Sequence, residues 1–150
     1  METKAALEKQ GYQAEIHIWP HWSGGKFSPS QEAQKVSSEI GSEKVNIIAK
    51  SIGTFVFLDV LSRSLYQLEK VILCGLPVND LSEEENKKYE YLDKLNSQQL
   101  TIFQNANDPH GNFEQVKKLI SRINPEIKVV KKERSDHDYP FSEDFLAFLS

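Results

Sequence analysis

The strongest constraint on this chain is a regular alternation. Short apolar runs bounded by turn-forming residues take turns with longer segments whose apolar residues recur at helical spacing. Val45–Lys50 (VNIIAK), Val71–Gly75, Leu100–Asn105 and Ile127–Lys131 read as strands. Tyr12–Trp19 reads as a further one, with Ile16 and Ile18 on one face and Pro20 closing it. Val45–Lys50 is apolar on both faces, as a buried parallel strand should be. Strands separated by helices cannot pair through hairpins. They run parallel, with right-handed crossovers. The expected fold is α/β: a three-layer sandwich around a mainly parallel five-stranded sheet, with six helices.

The helices carry their own punctuation. Residues 2–10 form a helix stopped by Gly11. After the Gly-, Ser- and Pro-rich stretch 21–30, Ser28 reads as an N-cap, with Pro29 at the first helical position and Gln31 where a capping box needs it. Ala33, Val36 and Ile40 give that helix its apolar stripe. Ile52–Leu65 is apolar nearly all round (Phe55, Val56, Phe57, Leu58, Val60, Leu61), which predicts deep packing. Ser82 with Glu85 makes a capping box. Asn112 caps a helix carrying Val116, Leu119, Ile120 and Ile123 that stops before Pro125. Ser142 is expected to cap the last helix, with Phe145, Leu146 and Leu149 facing inward.

Composition narrows the class. The 150 residues suit one domain with one core. The net charge of −4, with scattered lysines, gives no basic stripe for nucleic acid. No apolar run approaches the roughly 18 residues of a membrane helix. The charged start METKAALEKQ is unlike a signal peptide. One cysteine makes no internal disulfide, which suits a reducing, cytoplasmic setting.

In a parallel α/β sheet the functional loops leave the carboxyl ends of the strands. Trp19, Pro20, His21, Trp22 and Ser23 follow the first strand, and Ser51 the second. Pro77, Asn79 and Asp80 follow the third; Asn105, Asn107, Asp108, Pro109 and His110 the fourth; Ser135, Asp136, His137, Asp138 and Tyr139 the fifth. A serine, an acid and a histidine therefore meet on one edge. A serine hydroxyl needs a neighbouring base to become a nucleophile, and the base needs an orienting acid. Each residue also has a plain structural reading: Ser51 as a helix cap, Asp108 as a turn residue, His137 as a loop histidine. Asp136 and Asp138 stand as alternative acids. Cys74, in mid-strand, reads as a small buried apolar residue. Asp108, His110, Asp136 and His137 match no recognised metal motif.

Ala49-Lys50-Ser51-Ile52-Gly53 resembles the strand–turn–helix nucleophile elbow G-x-S-x-G of the α/β-hydrolase superfamily, with alanine for the first glycine. Asn107-Asp108-Pro109 and Asp136-His137-Asp138 stand where that family carries its acid and its histidine. As an element order the resemblance covers nearly the whole chain. It implies a single domain over 1–150, most similar to the small serine hydrolases. It further implies Ser51 as nucleophile, His137 as base, Asp108 as its orienter and the Ile52 N–H as oxyanion donor. Trp19, His21, Trp22 and Pro77 would wall the pocket. The substrate would be a small ester or related acyl compound, with no cofactor and no metal.

The chain departs from the family's pattern by opening on a helix. The strand before that helix, and the loop supplying a second oxyanion donor, have no counterpart, so the fold is expected to be a truncated one. Three arrangements are open: the flanking strands pair directly, a second copy supplies the strand and makes a homo-oligomer, or the sequence is a shortened form. His21-Trp22-Ser23-Gly24-Gly25, with its adjacent glycines, is a candidate replacement donor loop. A non-catalytic binding module on the same scaffold is the alternative function. Lys50–Thr54 as a phosphate site lacks the glycine spacing of a phosphate loop.

Overall fold

A computed structural model of the chain describes residues 2–17 and 28–150. Along the sequence its regular elements are α1 (Glu2–Lys9), α2 (Pro29–Ile40), β1 (Val45–Lys50), α3 (Ile52–Ser64), β2 (Leu68–Cys74), α4 (Glu83–Lys87), β3 (Leu100–Asn105), α5 (Phe113–Ile123), β4 (Lys128–Lys132) and α6 (Ser142–Leu149). Short 3-10 helices precede β2 and β3 and extend α4 over Lys88–Lys94. The chain divides into two compact units, Met1–Ser28 with Pro140–Ser150, and Pro29–Tyr139. In the first, α1 packs on α6, and Thr3 and Ser142 share a hydroxyl–hydroxyl hydrogen bond of 3.4 Å.

The second unit is α/β. Its four strands lie in sequence order, β1-β2-β3-β4, and every neighbouring pair is parallel. The sheet centre is dry: Val71, Ile72, Leu73 and Ile102 expose no surface. The apolar helix α3 packs against α2, β1 and β2, burying Phe55 through Leu58 together with Val60 and Leu61. Each such side chain contributes about 1.5–3 kcal/mol of transfer free energy, so this helix anchors the layer that carries Ser51. The expected capping box forms, with Ser82 Oγ accepting from the Glu85 N–H at 3.1 Å and Glu85 Oε1 accepting from the Ser82 N–H at 2.8 Å. Asn112 and Gln115 make a second such box.

Four expectations need correction. The described part of the proposed strand Tyr12–Trp19, residues 12–17, is not a strand, and Ile18 and Trp19 lie outside the described residues. The sheet therefore has four strands among the described residues, not five. The signal for that strand was Ile16 and Ile18 on one face with Pro20 closing it; none of residues 12–17 is buried and Ile16 is 42% exposed, so among the described residues no buried face stabilises an extended ladder there. β1 is half-buried rather than buried on both faces, because β2 is its sole neighbour among the described residues. β2 begins at Leu68, three residues earlier than its apolar run, because Leu68 pairs with Val45 of β1, and Gln99 Nε2, donating to the carbonyls of Leu68 (3.2 Å) and Glu69 (2.9 Å), ties down this polar start. Finally, Ser142 is the first residue of α6, and Phe141 occupies the cap position without a side-chain bond.

Candidate active site

The register of the sheet builds one edge. Lys50 pairs with Cys74, Cys74 with Phe103, and Asn105 with Lys132, so four strands deliver their following loops side by side. Ser51 is the first residue past β1. Its N–H still donates to the Cys74 carbonyl at 2.9 Å, as a strand residue would. Its backbone then turns at φ 57°, ψ −128°, making it the one non-glycine residue with positive φ among those described, and α3 begins at Ile52. Such a conformation costs on the order of 1–3 kcal/mol and persists only where neighbours enforce it. Two bonds hold the Ser51 carbonyl: the Thr54 N–H at 2.9 Å and Thr54 Oγ1 at 2.7 Å. Having donated there, the Thr54 hydroxyl accepts from Tyr89 at 2.8 Å. Tyr89 is fully buried, and burial pushes its phenol far up, so it stays a donor.

Ser51 makes no capping bond with its side chain. Its Oγ lies 2.8 Å from His137 Nε2, and His137 Nδ1 lies 2.7 Å from Asp108 Oδ2. The Asp108 side chain has no exposed surface, whereas that of His137 keeps 22%. Asp108 Oδ1 accepts from the His110 N–H at 2.8 Å, and Oδ2 also accepts from the Tyr139 hydroxyl at 2.7 Å. An ionised Asp108 can only accept, so Nδ1 carries the imidazole proton and Nε2 offers its lone pair to the Ser51 hydroxyl. The alternative acids are engaged elsewhere. Asp136 takes both Nε (3.0 Å) and Nη2 (2.6 Å) of Arg134, whose guanidinium, with the Asp138 N–H, holds that carboxyl below the ordinary range. Asp138 faces Lys50 at 3.9 Å.

Residues to which the sequence assigns no role in the relay shape this edge. Gly75, just past β2, sits at φ 64° under the site: a Cβ there would lie 2.7 Å from the Tyr139 ring and 3.0 Å from His137 Cε1. Only glycine lets both rings approach and adopts this φ without strain. Buried Gln104 accepts from the Leu76 N–H at 3.0 Å and donates to the Gly111 carbonyl at 2.6 Å, joining the loops after β2 and β3. Asn105 Nδ2 donates to the carbonyls of Asp136 (2.9 Å) and Asp138 (2.8 Å), gripping the turn that presents His137 from either side. His110 lies against His137 with ring centroids 4.4 Å apart and planes tilted by 52°, and its Nδ1 meets Asp80 Oδ2 at 2.6 Å. A glycine closing a strand and a tyrosine two residues past the histidine were the available signals. Neither has a period or spacing that points to a partner.

Of the other expected site residues, Pro77 is buried beside the β2 end, and Ile52 is the first residue of α3. The first N–H groups of a helix have no intrahelical acceptor and lie at its positive end, so the Ile52 N–H suits a developing oxyanion. Trp19, His21 and Trp22, and the candidate donor loop 21–25, lie outside the described residues. Cys74 is buried, and that burial pushes its thiol far up, with Lys50 opposing it only in part; it is no nucleophile. Among the described residues no three His, Cys, Asp or Glu side chains gather as a metal-binding group. None of the described helices is long and apolar enough to cross a membrane. The arrangement can move a proton from a hydroxyl to an imidazole while a buried carboxylate stabilises the cation. No protein-family model matches the sequence, and no curated protein matches it.

Proposed function

We propose that the chain is a serine hydrolase acting on a small ester or related acyl compound. The single observation that carries this reading is the continuous relay Ser51 Oγ–His137–Asp108, built from three separate strand-end loops around a strained serine. Strain and alignment together are hard to explain by packing, since a capping serine would turn its hydroxyl to the helix. In the first half-reaction Ser51 Oγ attacks the acyl carbon as its proton passes to His137 Nε2. The Ile52 N–H faces the oxyanion, Asp108 stabilises the imidazolium, and the leaving group departs with that proton as the acyl-serine forms. A water molecule, deprotonated by the same imidazole, then releases the acid and restores the serine.

On this reading the scaffold is of the three-layer α/β-hydrolase kind. The substrate is a small molecule, and the setting is cytoplasmic. A fluorophosphonate probe tests the chemistry: it should label the wild type and leave folded Ser51→Ala unlabelled. Equal labelling of the two would place the reactive nucleophile elsewhere than Ser51 and overturn the reading; none of either would show instead a binding module without acyl chemistry.

A further inference from the structure

The hydrogen bonds of Tyr139 run in a forced direction. Its hydroxyl lies 3.0 Å from the backbone N–H of Asn105, which can only donate. The hydroxyl hydrogen is therefore left for the other partner, Asp108 Oδ2, at 2.7 Å. That oxygen is the one that also takes the Nδ1–H of His137. The ring stands edge-on to His137, with centroids 6.1 Å apart and planes at 88°, and lies against Gly75. We propose that Tyr139 is a fourth member of the relay: a positioning residue that fixes the carboxylate of Asp108 and moderates how strongly it holds the proton of His137.

The inference rests on the hydrolase reading. Oδ2 divides its charge between two donors, so each weakens the other's bond. Without the phenol hydroxyl, the whole acceptor strength of Oδ2 falls on Nδ1–H, and the imidazolium is favoured. The histidine then gives up its proton less readily, and less neutral base is present at mildly acidic pH. Asp108 also loses one of its fixed donors in a place water does not reach. Burial pushes the Tyr139 phenol far up, so it remains a donor throughout the working range. The other titratable groups around the relay are His110 with Asp80 against the His137 ring, Lys50 and Asp138 at the rim, and Cys74 near Tyr139.

Tyr139→Phe keeps the ring and removes the hydroxyl. The acidic limb of its kcat/KM profile on an activated ester should move to higher pH by about half a unit, and kcat should fall about 3- to 10-fold with KM within about twofold. The Nδ1–H proton of His137, read by NMR, should move downfield as its bond to Asp108 strengthens. Replacing Tyr139 with 3-fluorotyrosine retains both bonds and sharpens the donor, so the limb and the resonance should move the opposite way. This second variant decides the matter if the first folds poorly, and a purely structural role would give no such pair of opposite signs. Unmoved limb and resonance in folded variants would overturn the proposal. If the wild type lacks Ser51-dependent labelling, the hydrolase reading falls, while the NMR shifts, which need no turnover, still decide whether Tyr139 controls Asp108.

Discussion

Gly75 shows how a residue with no side chain can set a site. It separates the β2 strand end from two rings that must come close: His137, whose Nε2 meets Ser51, and Tyr139, whose hydroxyl meets Asp108. In Gly75→Ala the new methyl would meet backbone-anchored aromatic atoms at 2.7 and 3.0 Å, at a φ that side chains avoid. The variant should lose about 1–3 kcal/mol of stability by denaturant unfolding. It should also lose at least about tenfold in Ser51 labelling rate, since small misplacements are expensive in proton transfer. Full labelling in a destabilised protein would mean that the rings yield without disturbing the relay. At this scale the sequence was legible in part. Ser51, Asp108 and His137 could be paired because each follows a strand, and strand ends share an edge. Gly75, Gln104 and Tyr139 could not, because their roles are distances between loops. The sequence favours Asp108 over Asp136 and Asp138 by its place after a strand; the structure puts its carboxylate 2.7 Å from His137 Nδ1, while Arg134 and Lys50 engage the other two.

The β1–α3 junction is where element and function conflict. A strand that ends in a ladder bond at Ser51 and a helix that starts at Ile52 leave one residue to make the turn, and that residue is held at φ 57°, ψ −128°. Glycine would adopt this geometry freely. Serine is kept there against its preference, with Thr54 holding its carbonyl and Tyr89 in turn holding the Thr54 hydroxyl. Ser51→Ala and Ser51→Gly both delete the hydroxyl, so the difference between them isolates backbone strain. Ser51→Gly should be the more stable by about 1–2 kcal/mol in denaturant unfolding, although glycine gains more entropy when unfolded. An alanine variant as stable as the glycine one would show that the junction is not strained. The elements themselves were largely readable: a helix apolar on most faces is buried, and the paired polar residues of the capping boxes are local codes. What failed at this scale were features settled by neighbours. Residues 12–17 alternate weakly and have no ladder, β1 has one neighbouring strand among the described residues and is only half-buried, and β2 starts early because Leu68 pairs with Val45 while Gln99 holds its first carbonyls.

At the scale of the whole chain, alternation of element types fixed the class, since helix-linked strands must run parallel, and the class fixed which edge to search. The charge balance on that edge then bears on overall stability. Asp136 is held below the ordinary carboxylate range, first by the Arg134 side chain and then by the Asp138 N–H. The same Arg134 is raised by Asp136. A group whose folded value is depressed binds fewer protons folded than unfolded. Its contribution is complete above the ordinary carboxylate value and is lost as the pH falls through that value toward the depressed one. The pair is exposed and screened by water, so the effect is modest and salt-dependent. Its location gives it consequence, because Asn105 binds the Asp136 carbonyl and so links this turn to β3 and to the loop carrying His137. In urea unfolding, Asp136→Asn should be less stable than the wild type near neutral pH, and the two curves should converge on acidification below the ordinary carboxylate range. Raising the salt should narrow the neutral-pH gap. A gap of constant size from neutral to strongly acidic pH would assign the loss to the shape of the turn rather than to the charge of Asp136, and the link between this ion pair and the stability of the molecule would be withdrawn.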